Sequence, residues 1–269
     1  MRKLLIAALA AAVAVAGFSV LATANTGDAG TSWDFSFKPK KVKRAASSSS
    51  LIRPSKVDDQ GTADRSDDVY TPTERTTIIF TRGSSVDTSA LARCKLTPSD
   101  VARGETCPNR TRLGDGAAVS VVGGTETGNG QRRGGTDVNA TIEAYNQRGK
   151  ILFIVQPCGA GTGPTTSQPC APAGSPIVLQ GRWSKVATRP TLVVPTPPGL
   201  LSIGVVIVRF QLDTDKHTKT VRVRGKRVLK SFVFTPGRCR GSWASQAKAR
   251  YADGTSQTIK DTQTCRRPR

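Results

Sequence analysis

An apolar run opens the chain, and all six cysteines follow it. That order constrains the fold more than any other feature. Arg2 and Lys3 supply positive charge, Leu4 to Leu21 is almost wholly apolar, and Ala22-Thr23-Ala24 offers the small-residue pattern that a signal peptidase cuts. Residues 1–24 are therefore expected to be a cleaved export signal. The rival is an uncleaved anchor, since about 20 apolar residues span a bilayer, but Gly17, Ser19 and Thr23 weaken the run as a span. An exported chain meets an oxidising compartment in which cysteines pair. Cys94, Cys107, Cys158, Cys170, Cys239 and Cys265 form three sequence-local pairs. The expected bridges are Cys94–Cys107, Cys158–Cys170 and Cys239–Cys265. The loop-closure model gives roughly 3 kcal/mol for a loop of ~15 residues. A zinc site is the weaker reading, because no pair has the short C-x-x-C type of spacing and His217 is the one histidine.

Strand signals dominate the exported part. Val138, Ala140, Ile142 and Ala144 alternate with Asn139, Thr141, Glu143 and Tyr145, a period of two with one buried face. The turn Asn146-Gln147-Arg148-Gly149 leads into Ile151–Gln156, which makes a hairpin. Asp253-Gly254 marks a second hairpin. Further strands are expected at Thr76–Phe80, Ala117–Val122, Pro176–Thr188 (with Gly181 as a bulge or a close contact), Gly204–Leu212 and around Trp243–Tyr251. Residues 94–115 read as a polar excursion, and 123–136 as a glycine-rich loop. No stretch beyond the leader carries a long helical stripe. The expected fold is all-β, a sandwich or jelly-roll-like arrangement stapled by disulfides. Residues 25–72 are expected to be a flexible tether, since few aliphatics and the serine run Ser47–Ser50 leave little apolar surface to bury. The alternation of Trp33, Phe35 and Phe37 leaves open a short edge strand there. Residues 73–269 are expected to form the β domain. The prolines of 195–199 are the best place for a subdomain break.

The formal charge is +21. Residues 25–72 are nearly neutral, whereas residues 209–269 hold sixteen Lys/Arg against four Asp/Glu. Such a field attracts polyanions and is screened by salt over ~8–10 Å. Arg222, Arg224, Lys226, Arg227 and Lys230 are the candidate polyanion-binding residues, with Arg238, Arg240, Lys248 and Arg250 as possible additions. Stacking aromatics for nucleic-acid recognition are scarce, so an anionic cell-wall polymer or a lipid surface is the expected partner. The cluster Lys38, Lys40, Lys41, Lys43 and Arg44 reads first as a solvated linker run, with attraction to an anionic surface as the alternative.

Catalytic patterns fail on inspection. His217 sits in a polar turn between Lys216 and Lys219, unsuited to a Ser-His-Asp site. Ser245 and Lys248 match the S-x-x-K spacing, but on a strand they point to opposite faces. The glycine clusters lack the lysine and helix of a phosphate loop. Glu143, with Asp137 a poor second, is the one placed carboxylate for glycoside chemistry. The aspartates 58, 59, 64, 67 and 68 lack calcium-ligand spacing. No catalytic residue, metal or cofactor is expected.

Three stretches resemble uncharacterised secreted β-rich proteins of high-G+C bacteria. They are the tract Ser55–Ala63, the Cys94…Cys107-Pro108 loop running into Gly114-Asp115-Gly116, and the late block with Thr235-Pro236, Trp243 and Tyr251–Gly254. The resemblance implies a secreted β protein and transfers no functional residue.

The expected function is that of a secreted, non-catalytic module of the cell envelope or extracellular space that binds an anionic polymer or lipid. The alternatives are a carbohydrate-active or carbohydrate-binding domain, which needs a cleft with two carboxylates or a row of exposed aromatics, and an adhesive or assembly subunit.

Overall fold

The computed structural model describes residues 31–58, 66–163 and 169–267. The expected export signal, Asp59 and Asp64 lie outside the described residues. In chain order the elements are β1 (Ser32–Lys38), β2 (Ser47–Arg53), β3 (Lys56–Asp58), β4 (Val69–Thr71), β5 (Thr73–Ile79), β6 (Ser85–Val86), α1 (Pro98–Ala102), β7 (Arg112–Val122), β8 (Thr125–Gly128) and β9 (Gln131–Arg133). They continue as β10 (Thr136–Gln147), β11 (Lys150–Pro157), β12 (Ile177–Val186), β13 (Arg189–Pro195), α2 (Pro198–Ser202), β14 (Val206–Thr214), β15 (Thr218–Val223), β16 (Lys226–Ser231), β17 (Val233–Phe234), β18 (Ser242–Tyr251) and β19 (Ser256–Thr264).

The all-β, disulfide-stapled fold is present as one antiparallel sheet of eleven strands, ordered β1-β2-β14-β7-β10-β11-β12-β13-β5-β18-β19. The sheet curls until its edges meet. The edge strands β1 and β19 are joined by side chains reaching main chain: the Phe35 N–H donates to Asp261 Oδ2 (2.8 Å), the Phe37 N–H to Gln263 Oε1 (2.8 Å), and Gln263 Nε2 to the Phe37 carbonyl (2.9 Å). Lys41 and Arg266 form a parallel bridge just beyond. Both edges thus satisfy groups that an open edge would expose.

Residues 32–53 belong to this closure, and β3 and β4 to a small second sheet, so the described part of 25–72 is not a tether. Trp33, Phe35 and Phe37 point inward from β1 and are buried. Phe35 meets Phe80 edge-on at 5.1 Å between ring centres, and Phe37 meets Trp243 at 5.9 Å. Each buried aromatic brings 150–250 Å² of surface, so three of them on a seven-residue strand outweigh the serine-rich strand that follows. Those serines are themselves paired: the Ser50 hydroxyl donates to the Leu212 carbonyl, and Ser48 Oγ lies 2.7 Å from Thr214 Oγ1.

One core lies inside the curled sheet, drawing on Ile142, Phe153, Leu179, Leu192, Phe232, Trp243 and Ala247 among others. Gly181 is a close contact, not a bulge: β12 keeps its register there, and an added Cβ would meet Leu192 at 2.8 Å and Phe153 at 3.3 Å. The excursion at 94–111 folds back over the outer face of β10–β12, where Cys94, Val101 and Cys107 cover Tyr145 and Leu152. It carries α1, opened by a Thr97–Asp100 capping box, too short for periodicity to reveal. Residues 123–136 also depart from the loop expectation, since β8 and β9 form a hairpin that joins β4 and β3 in a small second sheet ordered β3-β4-β9-β8. Pro195 ends β13, and α2 leads on to β14 of the same sheet. The three disulfides join neighbours, Cys94–Cys107, Cys158–Cys170 and Cys239–Cys265.

The seam carries a like-charge pair. Burial, then the charge of Asp261, raise the Asp34 pKa above its ordinary value, with Arg53 opposing. A carboxyl with a raised folded pKa holds its proton more tightly in the folded chain. Stability therefore falls as pH rises from about 4 through that raised value, and stays lower above it. Asp34→Asn should raise the thermal midpoint at pH 7 and leave it unchanged near pH 3. Solvent screening limits the gain to under about 1 kcal/mol. Equal shifts at both pH values would show that charge is not the cause.

Candidate polyanion interface

Because every neighbour in the large sheet is antiparallel, successive connections alternate between its two ends. At one end lie residues 39–46, 148–149, 187–188, 215–241 and 265–267, together with the start of the segment that folds back over the outer face. Leaving that segment aside, these connections hold sixteen Lys/Arg and one acid, Asp215. The described connections at the opposite end hold three Lys/Arg and five Asp/Glu. The fold thus sorts charge by end.

The basic end is a built surface. The Lys43 N–H donates to the Pro236 carbonyl (3.1 Å), the Thr235 N–H to the Arg44 carbonyl (2.9 Å), Thr235 Oγ1 to the Lys41 carbonyl (2.6 Å) and the Arg266 N–H to the Lys40 carbonyl (2.8 Å). The Cys239–Cys265 bridge ties the same segments covalently. These links set Lys40, Lys41, Lys43 and Arg44 beside Arg238, Arg240, Arg266 and Arg267, all exposed. Among the described residues none of these eight is ion-paired with a carboxylate. Reading residues 38–44 as a solvated linker run missed this, because the partners lie about two hundred positions away. The alternation of Trp33, Phe35 and Phe37 was the signal that could have placed it.

The five candidate residues share one hairpin, β15–β16, a two-stranded sheet separate from the main one. Its turn is tight: Val223 pairs with Lys226, and Arg224 and Gly225 take φ of 49° and 77°. Positive φ at both central residues is the type I′ pattern, which suits the twist of a ribbon. Arg222 and Arg227 are directly opposed, so their side chains share a face and repel. Lys226 lies on the other face. Lys230 is held at the base of the ribbon, 2.9 Å from Ser89 Oγ and 3.6 Å from Asp87. The Asp87 pKa is lowered: burial acts against this, but the Ser89 hydrogen bonds and Lys230 outweigh it. Interleaved with the cations are exposed aliphatics, Val223 (46 %), Val228 (40 %) and Leu229 (52 %). Lys248 and Arg250 are exposed on the outer face of β18, apart from the hairpin, and Arg250 pairs with Glu74 at 3.4 Å.

The other sequence candidates resolve simply. Ser245 is buried and accepts a hydrogen bond from Trp33 Nε1 (3.0 Å), with Lys248 on the opposite face. His217 Nε2 is 3.0 Å from the Leu113 carbonyl. A cleft of about 340 Å³ is lined by Glu105, Glu143 and Tyr145. Burial, then the neighbouring Glu143, push the Tyr145 phenol up to about 12, so it remains a donor to Glu143 Oε2 at 2.8 Å. Both carboxylates lie near guanidinium groups, Glu105 at 3.4 Å from Arg103 and Glu143 at 3.7 Å from Arg112. Among the described residues no group of His, Cys, Asp and Glu is arranged to hold a metal ion, and no helix is long and apolar enough to cross a membrane.

No family model, curated protein or solved structure matches the chain.

Proposed function

We propose that the protein is an exported, non-catalytic module that docks on anionic lipid surfaces through the basic end of its curled sheet. The observation that carries this reading is the β15–β16 hairpin, in which exposed Val223, Val228 and Leu229 sit among Arg222, Arg224, Lys226 and Arg227. A soluble polyanion needs only the cations. Aliphatic side chains held out among them gain by entering the boundary between headgroups and acyl chains. The neighbouring Lys40–Arg44, Arg238, Arg240 and Arg266 enlarge the charged footprint, and each cation near an anionic leaflet contributes about 1 kcal/mol. The apolar run at the start of the sequence and the three disulfides support the export reading.

Sedimentation with vesicles tests this. The protein should bind vesicles containing phosphatidylglycerol and ignore pure phosphatidylcholine, with affinity falling steeply as salt rises. The triple variant Arg222→Gln, Arg224→Gln, Arg227→Gln should bind about 100-fold more weakly, from three contributions of about 1 kcal/mol. Val223→Ser with Leu229→Ser should weaken the part of binding that survives high salt. Capture by dextran sulfate, with no dependence on Val223 and Leu229, would replace the lipid by a polymer. No binding to either would end the proposal.

A carbohydrate-active or carbohydrate-binding role is the second reading, favoured by the cleft that holds Glu105 and Glu143. It ranks lower because both carboxylates are engaged by arginines, Glu105 by Arg103 and Glu143 by Arg112, and among the described residues no row of exposed aromatics lines the cleft.

A further inference from the structure

Eleven strands enclose more width than side chains fill. A cavity of about 80 Å³ lies inside the curled sheet, between Trp33, Phe35 and Phe210 on one side and Ile78, Trp183 and Val194 on the other. Pro54 and Pro72 line it as well, as do Phe232 and Val233, which follow directly on the basic hairpin. About one probe sphere of 10–15 Å³ holds a water, so this space takes a ring or short chain of about six to eight heavy atoms.

The lining is mainly aliphatic and aromatic with a few Ser and Thr, and among the described residues no Lys, Arg, Asp, Glu or His contributes to it. Its hydroxyls are largely spent: Thr73 donates to the Pro54 carbonyl (2.6 Å), Thr196 to the Thr73 carbonyl (2.6 Å) and Ser50 to the Leu212 carbonyl (3.2 Å). Trp183 Nε1 differs. It is a buried donor with no acceptor, and among the described residues it is the one such side-chain atom on a residue that lines the cavity. The other two indoles are satisfied, Trp33 by Ser245 and Trp243 by the Arg238 carbonyl. An unmet buried donor costs about 1–3 kcal/mol, a cost that a bound acceptor removes.

We propose that the interior of the sheet binds a small neutral hydrophobe carrying one hydrogen-bond acceptor, which Trp183 Nε1 recognises. A carboxylate is excluded from the class, since no cation lines the cavity to offset burial of its charge. The site is independent of the lipid-docking surface, and its test does not involve vesicles.

The test uses cyclohexanone, methylcyclohexane and pivalate, each of seven heavy atoms, followed by tryptophan fluorescence and by ¹⁵N–¹H spectra of the indole groups. Cyclohexanone and methylcyclohexane match in size and differ in the acceptor. The wild-type protein should bind the ketone at least about tenfold more tightly than the hydrocarbon, and should not bind pivalate. In the wild type the Trp183 indole proton should move downfield with the ketone alone, a readout that needs no variant. Trp183→Phe keeps a ring in place and should bring the ratio to about one. Failure of both neutral probes to bind would overturn the site. A ketone preference unchanged in Trp183→Phe, or an unmoved Trp183 indole signal, would overturn the assignment of the donor.

Discussion

Gly116→Ala should unfold this protein at markedly lower denaturant and temperature, with a loss of about 3 kcal/mol or more. Gly116 sits within β7, paired with Ile142 on one side and Leu212 on the other. A Cβ there would overlap the Gln211 carbonyl oxygen and stand 3.0 Å from the Leu212 Cα. These are main-chain atoms of β14, so no rotamer change relieves the overlap. The strands must part, which breaks the ladder at the middle of the sheet. For a domain of this size the loss corresponds to about 6–12 °C in the midpoint. Gly114, two residues earlier on the same face, meets the same obstacle: its Cβ would overlap the Asp213 carbonyl oxygen and lie 2.7 Å from the Thr214 Cα. Gly199→Ala is the control. It lies in α2 with nothing among the described residues within 4 Å of an added methyl, and should be neutral or stabilising by a few tenths of a kcal/mol. Urea titrations of the three variants decide the matter. A Gly116→Ala midpoint close to wild type would mean that β7 and β14 are not packed as described.

Removing the last disulfide should cost more than removing the second. The double change Cys239→Ser, Cys265→Ser opens a bridge spanning 26 positions, against 12 for Cys158–Cys170. Loop entropy alone gives about 3.5 kcal/mol for the longer loop and about 0.7 less for the shorter. Location adds to the difference. Cys265 is the last tie before Arg266, whose N–H reaches the Lys40 carbonyl and whose bridge with Lys41 continues the seam between β1 and β19. Hydrogen exchange should therefore show protection lost at residues 40–46 and 262–266 first, and vesicle binding should weaken with it. Uniform loss of protection, or a larger cost for the Cys158–Cys170 pair, would contradict this account of the seam.

Particular residues show why some features were legible and others not. The period-two alternation from Val138 to Tyr145 is a local consequence of a strand with one buried face, and it names β10 directly. The cysteine pairs were legible because each bridge closes a short stretch of chain. Trp33, Phe35 and Phe37 carried the same alternation as β10, yet the serines beside them lowered the local apolar content. Composition averaged over 48 residues hid a strand whose burial depends on β19, which follows it by more than two hundred positions. The short helix at Pro98–Ala102 and the β8–β9 hairpin were too brief for any period to register. Gly114 and Gly116 stand out in the sequence as a pair, but the reason for them lies on another strand.

By itself, the chain's order of residues determined strand content, bridge pairing and an excess of cations, since each of these depends on neighbours a few positions apart. Only the tertiary structure decided that β1 closes the sheet, that Lys40–Arg44 join Arg238, Arg240 and Arg266 at one end, and that Trp183 is left with an unmet donor beside a cavity. Those outcomes depend on which distant strands lie side by side, and an antiparallel order that returns every second connection to the same end is a property of the whole sheet, absent from any window of sequence.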